Sequence, residues 1–479
     1  MLELSIITLF LTGIAFIIIS DKDIASQLTK ELISRGTIKF CGSTPYIWLG
    51  THWQKISRKS LPILIRNMIT PGDRTKVKNS HIVEAIKRIS EDMNLQLDFK
   101  IAFDKQQNLL NFPNGVLNII TGEFEKDRSK YLFDYVVDGN YIPNCKASDA
   151  PTFMHFVKTS IGQENYECFL RSFGYAMSSR TDAKVAFFYT GPSDGGKSTA
   201  AKLVASTFSP ELVSNVSFSQ LTDEHYTIQF LGKRLNVSYD NSPKPMDHED
   251  IFKSVTSCEE IMGRELYENP VIFRPTLKLI FASNYPFNFK HPDEAVLKRM
   301  VILPFEHSIP KNEQDPQLYE KLRKERDIIY SLAANSIKPL IESNFDFKMP
   351  NKGKDYIKSR LTELHSVEDF LTDRISFDEN GAISAAVLYN NYVEWTKENA
   401  LTAVDKDECK EHVLGFGPDI CYRKIGPRQK RVWGYKGIRL KTAEELNAPD
   451  DNKEDEELNA PNDNKEDEEL NAPDNSKED

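Results

Sequence analysis

Nine consecutive residues, Gly191-Pro192-Ser193-Asp194-Gly195-Gly196-Lys197-Ser198-Thr199, fit the spacing G-x-x-x-x-G-K-[ST]. An apolar run, Lys184–Thr190, precedes them and a helical pattern, Ala200–Ser206, follows. The glycines let the backbone curl so that successive N–H groups face phosphate oxygens at the positive end of the next helix. In that arrangement Lys197 reaches the β- and γ-phosphates and Ser198 offers its hydroxyl to Mg²⁺. A second strand pattern, Leu231–Asp240, ends in an acid 43 residues after Lys197. Asp240 there suits a carboxylate that holds Mg²⁺ through water and polarises an attacking water; an ordinary strand-end cap is its other use. The apolar run Leu277–Ala282 leads into Ser283 and Asn284. Asn284 suits positioning a lytic water or contacting the γ-phosphate, and equally suits a turn. Lys298 and Arg299 stand before a further apolar run, Met300–Phe305. An arginine in that place could neutralise a phosphoryl group held by a neighbouring subunit.

Such residues need an α/β core to hold them. A helical pattern over Phe153–Ser178 leads into the strand before the loop. Residues 21–110 read mainly as helix. Ser80–Met93 carries Ile82, Ile86, Ile89 and Met93 on one face behind a serine N-cap. Short strands and turns are expected around Trp48 and Trp53, whose rings suit core packing better than base stacking. A polar stretch punctuated by Pro and Gly, Asn111–Ala150, is expected to separate this region from the next. A second boundary is expected near Ser343–Asp355, and residues 365–441 form a smaller mixed unit closed by a hairpin, Lys430–Leu440.

Taken in order, these features resemble a superfamily 3 helicase of the poxvirus-type and phage or plasmid primase–helicase branch. The family's phosphate-loop motif falls on Gly191–Thr199, its second motif on Leu235–Asp240, its third on Leu279–Asn284, and its arginine finger on Arg299. Its remaining region resembles Phe252–Lys278, especially Arg264–Tyr267 and Phe273–Pro275. Upstream, Asn111–Asn118 with Thr121-Gly122, and Phe173-Gly174-Tyr175, also fit; downstream, Leu388-Tyr389 through Trp395 and the closing Gly437–Leu440 do so. The likeness covers residues 21–441. It implies an AAA+ P-loop ATPase core over 151–345, a helical primase–helicase-associated domain over 21–150 and a winged-helix-like DNA-binding domain over 360–441. It also implies ATP and Mg²⁺, bound between the subunits of a homo-hexamer encircling single-stranded DNA. One subunit would supply Lys197, Ser198, Asp240 and Asn284, and the next Arg299. A hairpin of about Arg264–Lys278 would grip the strand. Its tip, Glu268-Asn269-Pro270, lacks the basic residues often found there, which leaves Lys253, Arg264, Arg274 and Lys278 as phosphate contacts. Asp240 is followed by Asn241, where the branch usually has Glu. The one D-x-D in residues 21–150 is Asp21-Lys22-Asp23, directly after the uncharged run and outside any strand pattern, and primer synthesis is expected to fall to a separate primase. The implied activity is ATP-driven unwinding in the replication of a virus, phage, plasmid or mobile element. A replication initiator, or a membrane-tethered nucleotide switch that loads on DNA without sustained unwinding, is the alternative. A metabolic P-loop kinase would leave the basic C-terminal unit without a role.

Charge divides along the chain in a way that bears on DNA. The 479 residues carry 61 basic and 71 acidic side chains, a net charge of −10. The last 36 residues, Glu444–Asp479, hold 16 acids and 3 lysines, so the body before them is mildly basic at +3. That tail is three copies of a 12-residue acidic repeat, each with one Leu, one Ala and one Pro. Too little apolar surface is available to offset ordering entropy, and residues 442–479 are expected to be disordered, either adding solubility or mimicking DNA. Within the basic body, Arg428, Lys430 and Arg431 lie among Tyr422, Trp433 and Tyr435, a mixture suited to contacting phosphates. Six scattered cysteines without a C-x-x-C pair suggest reduced thiols in a cytoplasmic or cytosol-like compartment and no structural zinc. Within residues 1–20, the stretch Leu4–Ser20 is 17 uncharged residues, the lower edge of a bilayer-spanning helix. A membrane tether, a buried apolar helix and a non-native gene start all fit it.

Overall fold

The computed structural model describes residues 17–19, 23–239, 241–244, 246, 249–287, 289, 293–399 and 401–446. They form two compact units, one reaching Leu361 and the other starting at Thr362, within the helix Asn351–Arg374.

The first unit begins with a small layered domain. Helix Ile24–Arg35 starts where the Asp23 carboxylate accepts the Ser26 N–H, and closes where the Gly36 N–H returns to Leu32 and Ile33 carbonyls. Strands β1 (Ile38–Cys41), β2 (Thr44–Trp48) and β3 (Trp53–Lys55) form an antiparallel meander. Helices Leu61–Met68 and Asn79–Glu91 complete the layer. Ile82, Ala85 and Ile89 bury one stripe of the latter, as the spacing predicts. The helix stops two residues before Met93, because the Asp92 carboxylate accepts the Asn94 N–H and starts a separate turn; Met93 is left exposed. Trp53 is buried, and its ring lies 5.4 Å from that of Trp48. Ile17 and Ile19 join this core: the Ile17 N–H donates to Met68 O, the Thr70 N–H donates to Ile17 O, and Asp73 accepts the Ile19 N–H. The described end of the uncharged run is thus packed protein interior. The rest of it lies outside the described residues, among which no helix is long and apolar enough to cross a membrane.

Helix Phe99–Lys105 leads to a second antiparallel sheet, β4 (Leu109–Phe112), β5 (Gly115–Asn118) and β6 (Phe124–Glu125). The stretch Asn111–Ala150, expected as a polar separator, packs into the main core instead. Phe112, Val116, Leu117, Phe133, Tyr135, Val137 and Tyr141 are all buried there. Its polar residues serve the fold: the Asn111 amide donates to Thr51 and Tyr135 carbonyls, and Arg128 donates to Phe112 and Pro113 carbonyls.

Seven strands follow: β7 (Ala186–Thr190), β8 (Val213–Ser214), β9 (Leu235–Ser238), β10 (Ile261–Gly263), β11 (Val271–Phe273), β12 (Lys278–Ser283) and β13 (Met300–Pro304). Five make an all-parallel sheet in the order β13-β7-β12-β9-β8, and β10 and β11 form an antiparallel hairpin. Burial on both faces explains the nearly continuous apolar runs. Phe187 and Tyr189 enter the core shared with helices Tyr166–Met177 and Arg326–Asn335, while Ala186 and Phe188 enter the opposite core with Phe218, Phe252, Phe281 and Phe287. Gly174 has a packing reason: a Cβ there would lie 2.1 Å from the Ala333 carbonyl oxygen of the neighbouring helix.

The second unit packs the end of the long helix with β14 (Ile375–Ser384), helices Ala385–Glu398 and Lys406–Gly415, β15 (Cys421–Ile425) and β16 (Val432–Leu440). Its sheet is antiparallel in the order β14-β16-β15. Phe370, Leu388, Tyr392, Val413, Tyr435 and Ile438 form its core. The expected boundary near Ser343–Asp355 therefore falls a little later, inside a helix. The last 33 residues, with most of the acidic repeats, lie outside the described residues.

Lys278, expected to meet DNA, is a correction. It is 4 % exposed; its ammonium donates to Thr276 and Ser178 carbonyls at 3.2 and 3.4 Å and sits 5.3 Å from the Tyr175 ring centroid. Burial, helped by Arg234 and opposed by Cys258 and Asp182, pushes its pKa down to about 7. The folded protein therefore binds fewer protons here than the unfolded chain between pH 7 and the ordinary lysine range, and stability rises with pH across that window. Lys278→Met should raise the thermal midpoint at pH 7 by several degrees and flatten its rise between pH 7 and 10. Thermal unfolding with an unaltered pH slope in the variant would contradict the assignment.

Candidate nucleotide-binding site

The loop between β7 and helix Lys197–Ala205 is where strand, glycine turn and helix meet as the spacing predicts. Gly191 adopts φ 139° and Gly196 φ 89°. A Cβ on Gly191 would lie 1.9 Å from the Phe305 carbonyl oxygen, so only glycine allows the loop to lie against the chain leaving β13. The Asp194 carbonyl accepts the Ile309 N–H, a second tie to that segment.

Lys197 folds back into the loop. Its ammonium donates to the Gly191 and Pro192 carbonyls at 2.9 and 2.5 Å, and burial holds its pKa below the usual lysine range, with Asp194 opposing. Such an arrangement keeps a positive charge within the loop, ready to exchange carbonyl partners for phosphate oxygens. Ser198 is exposed, and Thr199 half-buried, on the first helical turn. Residues Ser193–Thr199 and Lys202 line a cleft of about 1460 Å³ that also receives His155, Tyr239, His307 and Tyr319. These four were not singled out by motif spacing; the segment before β7 brings His155, the end of β9 brings Tyr239, and the chain after β13 brings His307 and Tyr319.

Asn284 leaves β12, which lies between β7 and β9. Its amide donates to the Ser193 hydroxyl at 3.1 Å, so this residue and the loop are brought together. Asp240 lies outside the described residues. Asn241 does not substitute for it: the side chain is buried, accepting the Phe218 N–H and donating to the Ser238 and Ala282 carbonyls. This structural stitch between β9 and β12 was missed in the sequence, where an Asn beside an acid carries no distinguishing signal. A hydroxyl and a single carboxylate are hard oxygen donors of the kind Mg²⁺ takes together with phosphate oxygens. Among the described residues no cluster of His, Cys, Asp or Glu makes a self-sufficient metal cage.

Arg299 is elsewhere. It precedes β13, and its carbonyl accepts the Ala186 N–H at the start of β7. Lys197 and Asn284 instead follow the ends of their strands. At about 3.3 Å per residue, a five-residue strand separates these two edges by roughly 16 Å. The Arg299 guanidinium donates to the Ala295 carbonyl and Ser257 hydroxyl, while its Nε is buried without a partner.

The cations expected on the DNA path are engaged. Lys253 pairs with Asp293 at 3.0 Å, Arg264 with Glu224 at 2.5 Å and Arg274 with Asp104 at 3.3 Å. The β10–β11 hairpin forms, exposing the apolar Met262, Leu266, Tyr267, Val271 and Ile272 together with Glu265 and Glu268 of its turn, and, among the described residues, no unpaired cation. In the second unit Arg428, Lys430 and Arg431 are exposed.

The family described as "D5 N terminal like" matches residues 27–162, and a "Family of unknown function (DUF5906)" matches residues 189–299. "Putative helicase 184R" of Invertebrate iridescent virus 6 is 22% identical over 387 residues, covering 69% of this chain and 39% of that protein. The similarly named L207/L206 protein of Acanthamoeba polyphaga mimivirus is 22% identical over 354 residues, 68% of this chain and 36% of that protein. "Uncoating factor OPG117" of Variola virus is 21% identical over 284 residues, 54% of this chain and 35% of that protein. The chain thus spans little more than a third of the length of these relatives. Among solved structures, the C-terminal region of NrS-1 superposes with a TM-score of 0.44 at 11% identity, over 86% of this chain and 99% of that chain. Neither family model alone covers half of the sequence; together with the helicase-named viral relatives they support a likeness to the phage and viral superfamily 3 primase–helicases.

Proposed function

We propose that this chain is an ATP-hydrolysing, AAA+-type motor that moves on single-stranded DNA during replication of a virus, phage, plasmid or related element. The observation that carries the reading is the placement of Asn284 against the phosphate loop, through Ser193, on the central strand of a parallel sheet. In this reading the loop N–H groups and Lys197 hold the β- and γ-phosphates of ATP. Ser198 and Asp240 hold Mg²⁺, which neutralises charge between the phosphates. Asp240 polarises the attacking water and Asn284 positions it. Arg299, at the other edge of the sheet, serves a nucleotide held by an adjacent copy in a homo-hexameric ring, leaving Ser257 to do so. ATP then acts as glue between copies, and hydrolysis loosens it. DNA binding by the winged-helix-like second unit through Arg428, Lys430 and Arg431 completes the proposal. A separate primase as partner and a cytosol-like location are parts of the same reading, whereas a tether spanning residues 4–20 conflicts with the burial of Ile17 and Ile19 in the first unit.

One observation favours the second reading, an initiator-like switch that loads on DNA without sustained unwinding. The cations around the hairpin, Lys253, Arg264 and Arg274, are already paired with carboxylates, so the grip on a moving strand would rely on apolar side chains.

Hydrolysis should rise several-fold on adding single-stranded DNA and vanish in Lys197→Ala, and a forked duplex should be displaced. Hydrolysis indifferent to DNA would refute the motor, while stimulation without displacement would favour the switch. The arginine has its own test. Mixing inactive Arg299→Ala and Lys197→Ala chains creates boundaries with both residues intact, and hydrolysis should reappear; a mixture that stays inactive places Arg299 outside the neighbour's site.

A further inference from the structure

The β15–β16 hairpin carries an arrangement that phosphate contact alone does not explain. Tyr422 opposes Tyr435, and Lys424 opposes Trp433, so these four side chains share one face. The Trp433 and Tyr422 rings stack at 5.2 Å with 9° between their planes, and Tyr422 lies 5.2 Å from Tyr435. The ladder starts in the core at Tyr435, 3 % exposed, and ends at Trp433, 53 % exposed. Lysines flank it: Lys410 stands 4.4 Å from the Tyr422 ring centroid and Lys424 5.7 Å from that of Trp433. The turn joining the strands adds Arg428, Lys430 and Arg431, and no acidic residue occurs between Ile420 and Lys441. Among the described residues, none of these three, nor Arg423, is in an ion pair with a carboxylate.

A ladder that served only packing would end under cover. Here the last ring is open, and every charged residue of the hairpin that carries it is basic. A polyanion whose units carry flat π-faces complements both features: phosphates meet the lysines and arginines, and an unpaired base extends the stack. A duplex presents the phosphates but keeps its bases stacked inside, so it would leave Trp433 unused. We propose that this hairpin is a second single-stranded DNA site, separate from the motor, in which Trp433 stacks on an unpaired base while Lys424 and the turn arginines hold the adjoining phosphates. The choice of DNA as the strand rests on the function proposed above; the stacking geometry does not.

The test uses the full chain without nucleotide, in a Lys197→Ala background, so its result does not depend on hydrolysis. Three labelled probes are compared by anisotropy: a thymidine 20-mer, an abasic 20-mer with the same phosphates, and a 20-base-pair duplex. Trp433→Ala should weaken thymidine 20-mer binding by about tenfold, the scale of losing one stacked base. Trp433→Phe should recover most of it, and neither change should affect the abasic strand or the duplex. Unchanged binding of the thymidine strand would overturn the proposal, as would an equal loss on all three probes, which would mark Trp433 as a support for the hairpin alone. If the motor reading fails but the Trp433-dependent preference for bases persists, the stacking site stands independently.

Discussion

The candidate site depends on a backbone contact with no room in it. Gly191 lies so close to the Phe305 carbonyl that a single added carbon would overlap it. That closeness follows from the parallel register of β13 on β7, in which Pro304 pairs with Thr190 and the Phe305 N–H donates to the Thr190 carbonyl. The strand beside the loop therefore sets where the loop turns. The register is in turn held by alternate burial, Phe187 and Tyr189 into one core and Phe188 into the other. A one-residue slip would exchange these faces. Packing, strand register and the glycine loop are one connected constraint, and Asn284 enters it from the other side by bonding Ser193.

The same connection separates what the two ends of the sheet can do. Side chains that leave the strands meet the cleft, whereas Arg299 belongs to the end where strands begin and is held there by Ser257 and Ala295. In the proposed reading a residue so placed would meet the phosphate of a nucleotide held by a neighbouring copy. The internal ion pairs around the β10–β11 hairpin divide labour in a similar way. Lys253, Arg264 and Arg274 are paired there, whereas the turn arginines and lysine of the second unit have no carboxylate partner among the described residues.

Much of the site was legible in the sequence because its parts are local. The glycine loop, its flanking strand and helix, and the Asn284 strand end are each set by a few neighbouring residues, and each formed where expected. What was not legible depended on partners distant in the chain. Arg274 and Arg264 look like free cations until Asp104 and Glu224 are brought to them. Lys278 looks like a hairpin charge until the strand pairing that buries it is known. Asn111–Ala150 has the composition of a linker, yet its asparagines and arginine satisfy carbonyls so that the interspersed aromatics can be buried. Composition reports polarity; it does not report whether that polarity is spent on solvent or on the backbone.

In the proposed reading the tight Gly191 turn holds nucleotide phosphates. Calorimetric titration of MgATP into Gly191→Ala and the unaltered chain tests it most directly, with circular dichroism to establish that both are folded. The account predicts that the alanine variant keeps its fold and loses at least about tenfold in affinity, a change of 1.4 kcal/mol. Equal affinity in a folded variant would contradict it.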